Sequence, residues 1–282
     1  MHNSAGTGGQ TSIGITYDFE LLADALYESD PIPNINRERT NNSTATFLIR
    51  HSISDNFSII ALVPYRSILN EKVLFRGQNP HQSFGGKYFR ESGGIGDIIL
   101  LTSFRLNALN FLPNAVFSAG LKLANGEINA VDVYDERISD NLQVGTGSID
   151  PIASLYISKQ LSSFILSAGI FTRISGSENI YGYKYGNELH FLSDIDYTEN
   201  DLWFGGLQLR YLLTTRDYYE YGKVARDRGG KWLYASPKIG TKITEKLNLE
   251  LSTSFPLWQF VNESQLTSQY QIQLNTVYRF NS

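Results

Sequence analysis

Apolar and polar side chains take turns along this chain, and the last run states the pattern most fully: Tyr270-Gln-Ile-Gln-Leu-Asn-Thr-Val-Tyr-Arg-Phe280. A strand sends successive side chains to opposite sides. Tyr270, Ile272, Leu274, Thr276, Tyr278 and Phe280 therefore share one face, and Gln271, Gln273, Asn275 and Arg279 the other, with Val277 the exception on the polar side. Comparable runs fall near residues 11–22, 43–53, 57–66, 96–106, 115–123, 150–158, 164–174, 188–197, 202–213, 231–243, 247–255 and 268–280. They predict about twelve strands, and no segment holds a helical period.

The faces agree from run to run. Ile13, Ile15 and Tyr17, then Phe47 and Ile49, then Ile59 and Val63, then Leu249 and Leu251 fall on an almost uncharged face. Their alternates, among them Asp18, Glu20, Arg50, Arg66, Lys122 and Glu250, form a modest polar face of mixed sign. A soluble sandwich has its charged face outside. A membrane barrel has its apolar face outside and a polar lumen.

The connections add a second signal. Short ones at 54–56, 107–114, 159–163, 198–200 and 244–246 alternate with long ones at 23–42, 67–94, 124–149, 175–187, 214–230 and 257–267. Short turns at one rim and long loops at the other produce this alternation, and an even strand count brings both termini to the short-turn rim. The expected fold is all-β: a transmembrane up-and-down antiparallel β-barrel of about 12 strands. Residues 1–10 are expected as a flexible tail and 11–282 as a single barrel domain.

Composition is consistent with this. The 282 residues carry a net charge of -4, no Cys, 17 Tyr and 16 Phe, and mean hydropathy is -0.22. The absence of a basic field argues against nucleic acid. The lack of Cys removes disulfide scaffolds and thiol chemistry. No apolar run approaches the roughly 18 residues of a membrane helix, which says nothing against strands that alternate. Met1-His2-Asn3-Ser4 shows no charged and apolar leader, so export implies a processed form.

Candidate chemistry is sparse. His2, His51, His81 and His190 are scattered, without metal-ligand spacing. His190 shares a predicted inner face with Glu188, Asp194 and Asp196. That cluster reads either as a cation site or as lumen wall paired with Arg210 or Lys238. Asp132, Asp135, Glu136 and Asp140 lack calcium-loop spacing and read as a solvated loop. Inward positions Arg50, Arg66, Arg105 and Arg210 are candidate charge-selectivity residues. Ile60, Leu62, Ile99 and Leu101 are inward by register and form a candidate apolar lumen stripe, to which Phe171, Trp232 and Tyr234 are possible additions. A guide for small amphipathic solutes and simple filling of a narrow barrel are both open readings of that stripe. No cofactor is expected.

Several segments resemble the outer-membrane barrels of the meta-pathway of phenol degradation family, often labelled simply transporters. Those segments are Gly93-Gly-Ile-Gly-Asp97, Gly145-Thr-Gly-Ser-Ile-Asp-Pro151, Gly230-Lys-Trp-Leu-Tyr-Ala-Ser-Pro237, Phe255-Pro-Leu-Trp-Gln259 and the ending Tyr278-Arg-Phe280. The order and spacing of the set carry the resemblance from about Gly93 to Phe280. Asn262-Glu263 stands where the family usually has Asn-Gly, and Asn281-Ser282 follows the terminal Phe280. The resemblance implies a bacterial outer-membrane location and passage of small, often aromatic, compounds. It brings no catalytic residues.

The expected function is a passive channel for small, hydrophobic or aromatic solutes. Its partners would be outer-membrane lipid and lipopolysaccharide, the barrel-assembly machinery during insertion, and the solute itself. The oligomeric state is left open. The alternatives are a closed structural or partner-binding barrel acting through its loops, a phospholipase-like barrel enzyme, and a soluble β protein. For the enzyme, His51-Ser52-Ile53-Ser54 comes nearest to the required His and Ser two residues apart, but Ile53 stands at the needed offset.

Overall fold

The computed structural model describes residues 8–75, 85–106, 114–198 and 202–280. His2, His81, most of the expected tail at 1–10 and most of the connections expected at 107–114 and 198–200 lie outside the described residues. The strands in chain order are β1 (Thr11–Tyr27), β2 (Asp30–Pro31), β3 (Arg39–Ser54), β4 (Phe57–Leu74), β5 (Gly86–Ile95), β6 (Ile99–Arg105), β7 (Ala115–Lys122) and β8 (Asp150–Leu161). They continue with β9 (Phe164–Arg173), β10 (Glu188–Tyr197), β11 (Trp203–Thr214), β12 (Tyr218–Tyr219), β13 (Lys223–Val224), β14 (Gly230–Thr244), β15 (Leu247–Val261) and β16 (Ser264–Phe280).

Each long strand pairs antiparallel with its neighbours, and β16 pairs with β1 to close the sheet. β2 is a short return against the end of β1, and β12 pairs with β13 outside the wall. β5 and β6 both pair with β4 and form one stave, interrupted between Ile95 and Ile99. The result is a closed up-and-down barrel of twelve staves. Its seam runs from Thr11 opposite Phe280 to Tyr27 opposite Ser264, with two register shifts on the way.

Burial is inverted relative to a soluble domain. Ile15, Phe47, Ile59 and Leu251 are each at least 40% exposed, while Ser52, Asn70, Gln143 and Asp150 are essentially buried. A continuous exposed apolar surface of this kind belongs in lipid. Aromatic rings edge it at the turn rim: Phe57 against Phe104, Phe164 against Tyr197, Tyr197 against Trp203, and Tyr278 against Phe280, with centroids 4.8 to 6.2 Å apart. Rings at that level match the interfacial girdle of a membrane barrel.

The wall is lopsided. β1, β3, β4, β14, β15 and β16 have 15 to 18 residues. β7 to β11 have 8 to 12, close to the roughly 9–11 a tilted strand needs to cross a bilayer. The tall staves correct the sequence reading, which ended several strands too early. The expected loop at 257–267 is mostly strand. β15 runs to Val261, β16 begins at Ser264, and only Asn262 and Glu263 turn the chain. Leu257 has no cross-strand partner, so Leu257 and Trp258 both face outward and the alternation breaks there. Glu263 takes the left-handed conformation, φ 55°, where the resembling family usually has glycine.

Candidate functional site

Register builds the lower lumen row by row. Arg279, Ser12, Arg50, Ile60 and Leu101 stand side by side on β16, β1, β3, β4 and β6. The next inward row toward the loops is Val277, Gly14, Leu48, Leu62 and Ile99. Phe204 enters from the opposite wall on β11, where its ring lies against Gly240. A Cβ at Gly240 would sit 2.1 Å from that ring. Between these walls is a cavity of about 250 Å³, lined mainly by Leu48, Ile60, Leu62, Leu101, Phe204 and Val277 on its apolar side. Arg50, Arg279 and Glu250 supply its charge.

Three of the four predicted stripe residues, Ile60, Leu62 and Leu101, line this cavity, and Ile99 lies beside Leu62 in the wall without lining it. The sequence placed Glu250 and Arg279 on the polar face without making them site candidates, and Leu48 and Phe204 were not singled out at all. One signal was visible: Val277, the single apolar residue on the polar face of the closing strand, is inward because it faces this cavity.

The four predicted arginines divide into two kinds. Arg50 lines the cavity, and Arg105 stands below it in a recess with Arg50, Asp55 and Asn56. Arg50 lies within the field of both Arg105 and Arg279. None of the three guanidinium groups has a hydrogen-bond or ion-pair partner among the described residues. Asp55 accepts a hydrogen bond from the Gly8 amide at 2.7 Å instead. Arg66 and Arg210 are committed elsewhere. Arg66 donates to the Val144 carbonyl at 3.0 Å. Arg210 lies 4.6 Å over the Tyr234 ring and donates to Gln271 Oε1 at 2.8 Å. They tie structure together instead of facing the cavity.

The expected cluster around His190 separates into two ion pairs. Arg173 holds Glu188 at 2.7 Å, and His190 Nε2 lies 3.5 Å from Glu188 with its ring edge-on to Phe171. Lys238 bridges Asp194 at 3.0 Å and Asp196 at 2.9 Å. Among the described residues no group of three His, Asp or Glu side chains is placed to hold a metal ion. His51 faces outward and shares a 3.0 Å contact with Thr11 Oγ1, while Ser52 is buried inside near Ser58. The two side chains nearest to a hydrolase pair therefore point to opposite sides of the wall. Trp232 donates to Thr267 Oγ1 at 3.1 Å, and Trp232, Tyr234 and Phe171 all lie away from the cavity.

The loop-side half of the lumen is filled by chain. The 123–149 segment turns into the barrel after Lys122. Asp97 accepts from the amides of Gly126 at 2.9 Å and Thr146 at 2.8 Å. Gly126 and Gly145 pack so closely that a Cβ on Gly145 would lie 2.4 Å from Gly126. Ser92 donates to the Leu142 carbonyl at 2.5 Å, and Ile138 and Leu142 pack on inward-facing Ile68. Lys122 anchors the knot, 2.9 Å from both Asp97 and Asp150, and Arg173 reaches Asp150 at 2.8 Å. The two Gly-rich motifs of the sequence meet here. The expected solvated acidic loop is partly buried: Asp140 pairs with Arg137 at 2.7 Å and accepts from Asn179 at 3.1 Å. Tyr185 donates to the Asp140 carbonyl at 2.7 Å, and Arg228 to Asn141 at 3.1 Å. Three loops thus form one cap above the cavity.

Comparison with solved structures finds this architecture elsewhere. The COG4313 outer membrane channel from Pseudomonas putida F1 superposes with a TM-score of 0.72 at 13% identity, over 99% of each chain. The likeness is one of fold. A Pseudomonas aeruginosa FadL homologue matches with a TM-score of 0.48 at 13% identity, covering 96% of this chain and 90% of its own. The CymD monoaromatic hydrocarbon channel matches with a TM-score of 0.47 at 12% identity, covering 98% of this chain and 90% of its own. No protein-family model matches the sequence, and no curated protein matches it.

Proposed function

We propose that the chain is a bacterial outer-membrane channel for passive passage of small hydrophobic or aromatic solutes. The observation that carries this reading is the apolar cavity inside the lumen. Filling a barrel for rigidity alone would leave no 250 Å³ void lined by six apolar side chains. The fold shared with an outer-membrane channel is in keeping with it. The short-turn rim would face the periplasm and the cap the exterior, with lipid and lipopolysaccharide around the apolar belt and the assembly machinery as a transient partner. Solutes would enter when the cap loosens, rest in the cavity and leave toward the turn rim. Proteoliposome uptake tests this directly. Benzyl alcohol is expected to equilibrate faster across vesicles holding folded barrel than across empty ones, and equal rates would end the channel reading.

A second reading, a closed barrel whose loops do the work, draws support from the cap and from the ion pairs across the upper lumen. It predicts no uptake even after the cap is loosened by Lys122→Met.

A further inference from the structure

We propose that the cavity is a recognition site for a monoaromatic monocarboxylate, with Arg50 and Arg279 as its anion-binding pair. This rests on the channel reading and narrows its solute class. Arg279 and Arg50 occupy one register row, two strands apart, with Ser12 between them. Neighbouring strands lie about 4.8 Å apart, so the backbones that carry Arg50 and Arg279 stand about 10 Å apart, and both side chains line the same cavity together with Ser12. Neither guanidinium has a hydrogen-bond or ion-pair partner among the described residues, and Arg50 lies in the field of Arg105 as well as of Arg279. Like charges held together in a narrow lumen with no carboxylate paired to them are unfavourable unless an anion joins them. Charge-assisted, bidentate hydrogen bonds from guanidinium to carboxylate are the strongest such partners.

The same cavity sets the rest of the ligand. Ile60 continues the arginine row, Val277, Leu48 and Leu62 form the next row, and Phe204 faces them. An apolar cavity of about 150 Å³ holds one benzene ring. The 250 Å³ found here therefore accepts one ring with its carboxyl group. Glu250, the one carboxylate among the lining residues, opposes a second negative charge.

The test uses fluorine NMR of 4-fluorobenzoate and 4-fluorobenzyl alcohol with the full chain folded in non-ionic micelles. Leu62→Trp, which fills the cavity, supplies the micelle background. The native barrel is expected to bind the benzoate more tightly than the alcohol. Arg50→Gln and Arg279→Gln are each expected to weaken the benzoate by about tenfold while leaving the alcohol within about twofold. Equal affinities for the two compounds, unchanged benzoate affinity in both arginine variants, or displacement of benzoate by equimolar acetate would overturn the inference. Uptake of benzyl alcohol into proteoliposomes alongside any of those results would leave the channel reading standing. Absence of both uptake and binding would remove the two together. Heat-modifiable gel mobility verifies folding of each variant, and Glu250→Gln, expected to strengthen benzoate binding, gives a measurement in the opposite direction.

Discussion

Lys122 is the residue on which the upper lumen hangs. Its side chain is 8% exposed and lies between Asp97 and Asp150, which are buried with it. Removing one partner of a buried ionic cluster leaves charge without compensation, a loss of roughly 3–5 kcal/mol. Lys122→Met is therefore expected to lower the denaturant midpoint of the barrel in lipid vesicles by that order. It should also raise hydrogen exchange at the amides of Gly126 and Thr146, which bond to Asp97. A midpoint unchanged from the native chain would show that the cluster carries little. In the sequence Lys122 was merely one polar position on an alternating face. The Gly-rich motifs containing Asp97 and Asp150 were noticed as resemblances, but nothing local says that they meet. That meeting depends on Gly126 and Gly145 approaching from different parts of one loop.

At the level of strands, alternation was enough to locate all twelve staves, because every strand has lipid on one side and lumen on the other. It failed where that rule fails. Above the membrane the tall staves no longer meet lipid, so their outward residues turn polar or irregular, and bulges such as that at Leu257 shift the period. The inward course of the loops was equally hidden, since their partners are distant in sequence. One such partner offers a pH test of the cap. Asp217 accepts hydrogen bonds from the Tyr183 hydroxyl and from the Gly186 amide at 2.6 Å. Burial pushes its carboxyl above the ordinary value, with those hydrogen bonds and the charge of Arg228 pulling the other way. A raised pKa means that the closed cap binds the proton more tightly than the open one. Its contribution is full below the ordinary carboxylate value of about 3.9 and fades as pH rises through the raised one. Exchange protection at Gly186, corrected for intrinsic rate, should fall across that window, and Asp217→Asn should abolish the trend. A flat profile in the native chain would count against the linkage.

For the molecule as a whole, the inverted burial makes a quantitative demand. Ile15 lies in the middle of the apolar belt, paired across strands with Thr276 and Phe47. Arginine at the midplane of a lipid-facing strand costs about 2–4 kcal/mol. Ile15→Arg is expected to lose that much in refolding equilibria with lipid vesicles, whereas a loss below about 1 kcal/mol would place the residue near an interface. The closed seam has a separate bearing on how the chain reaches this state. The first long strand finds its second neighbour only when the last one arrives, with Thr11 set against Phe280. Contacts between the two ends of a chain carry the largest loop-closure entropy, and topologies dominated by them fold slowly. Closure is therefore the final and slowest event. Until it happens both edges of the sheet are unpaired, and the nascent protein is a template for its own aggregation.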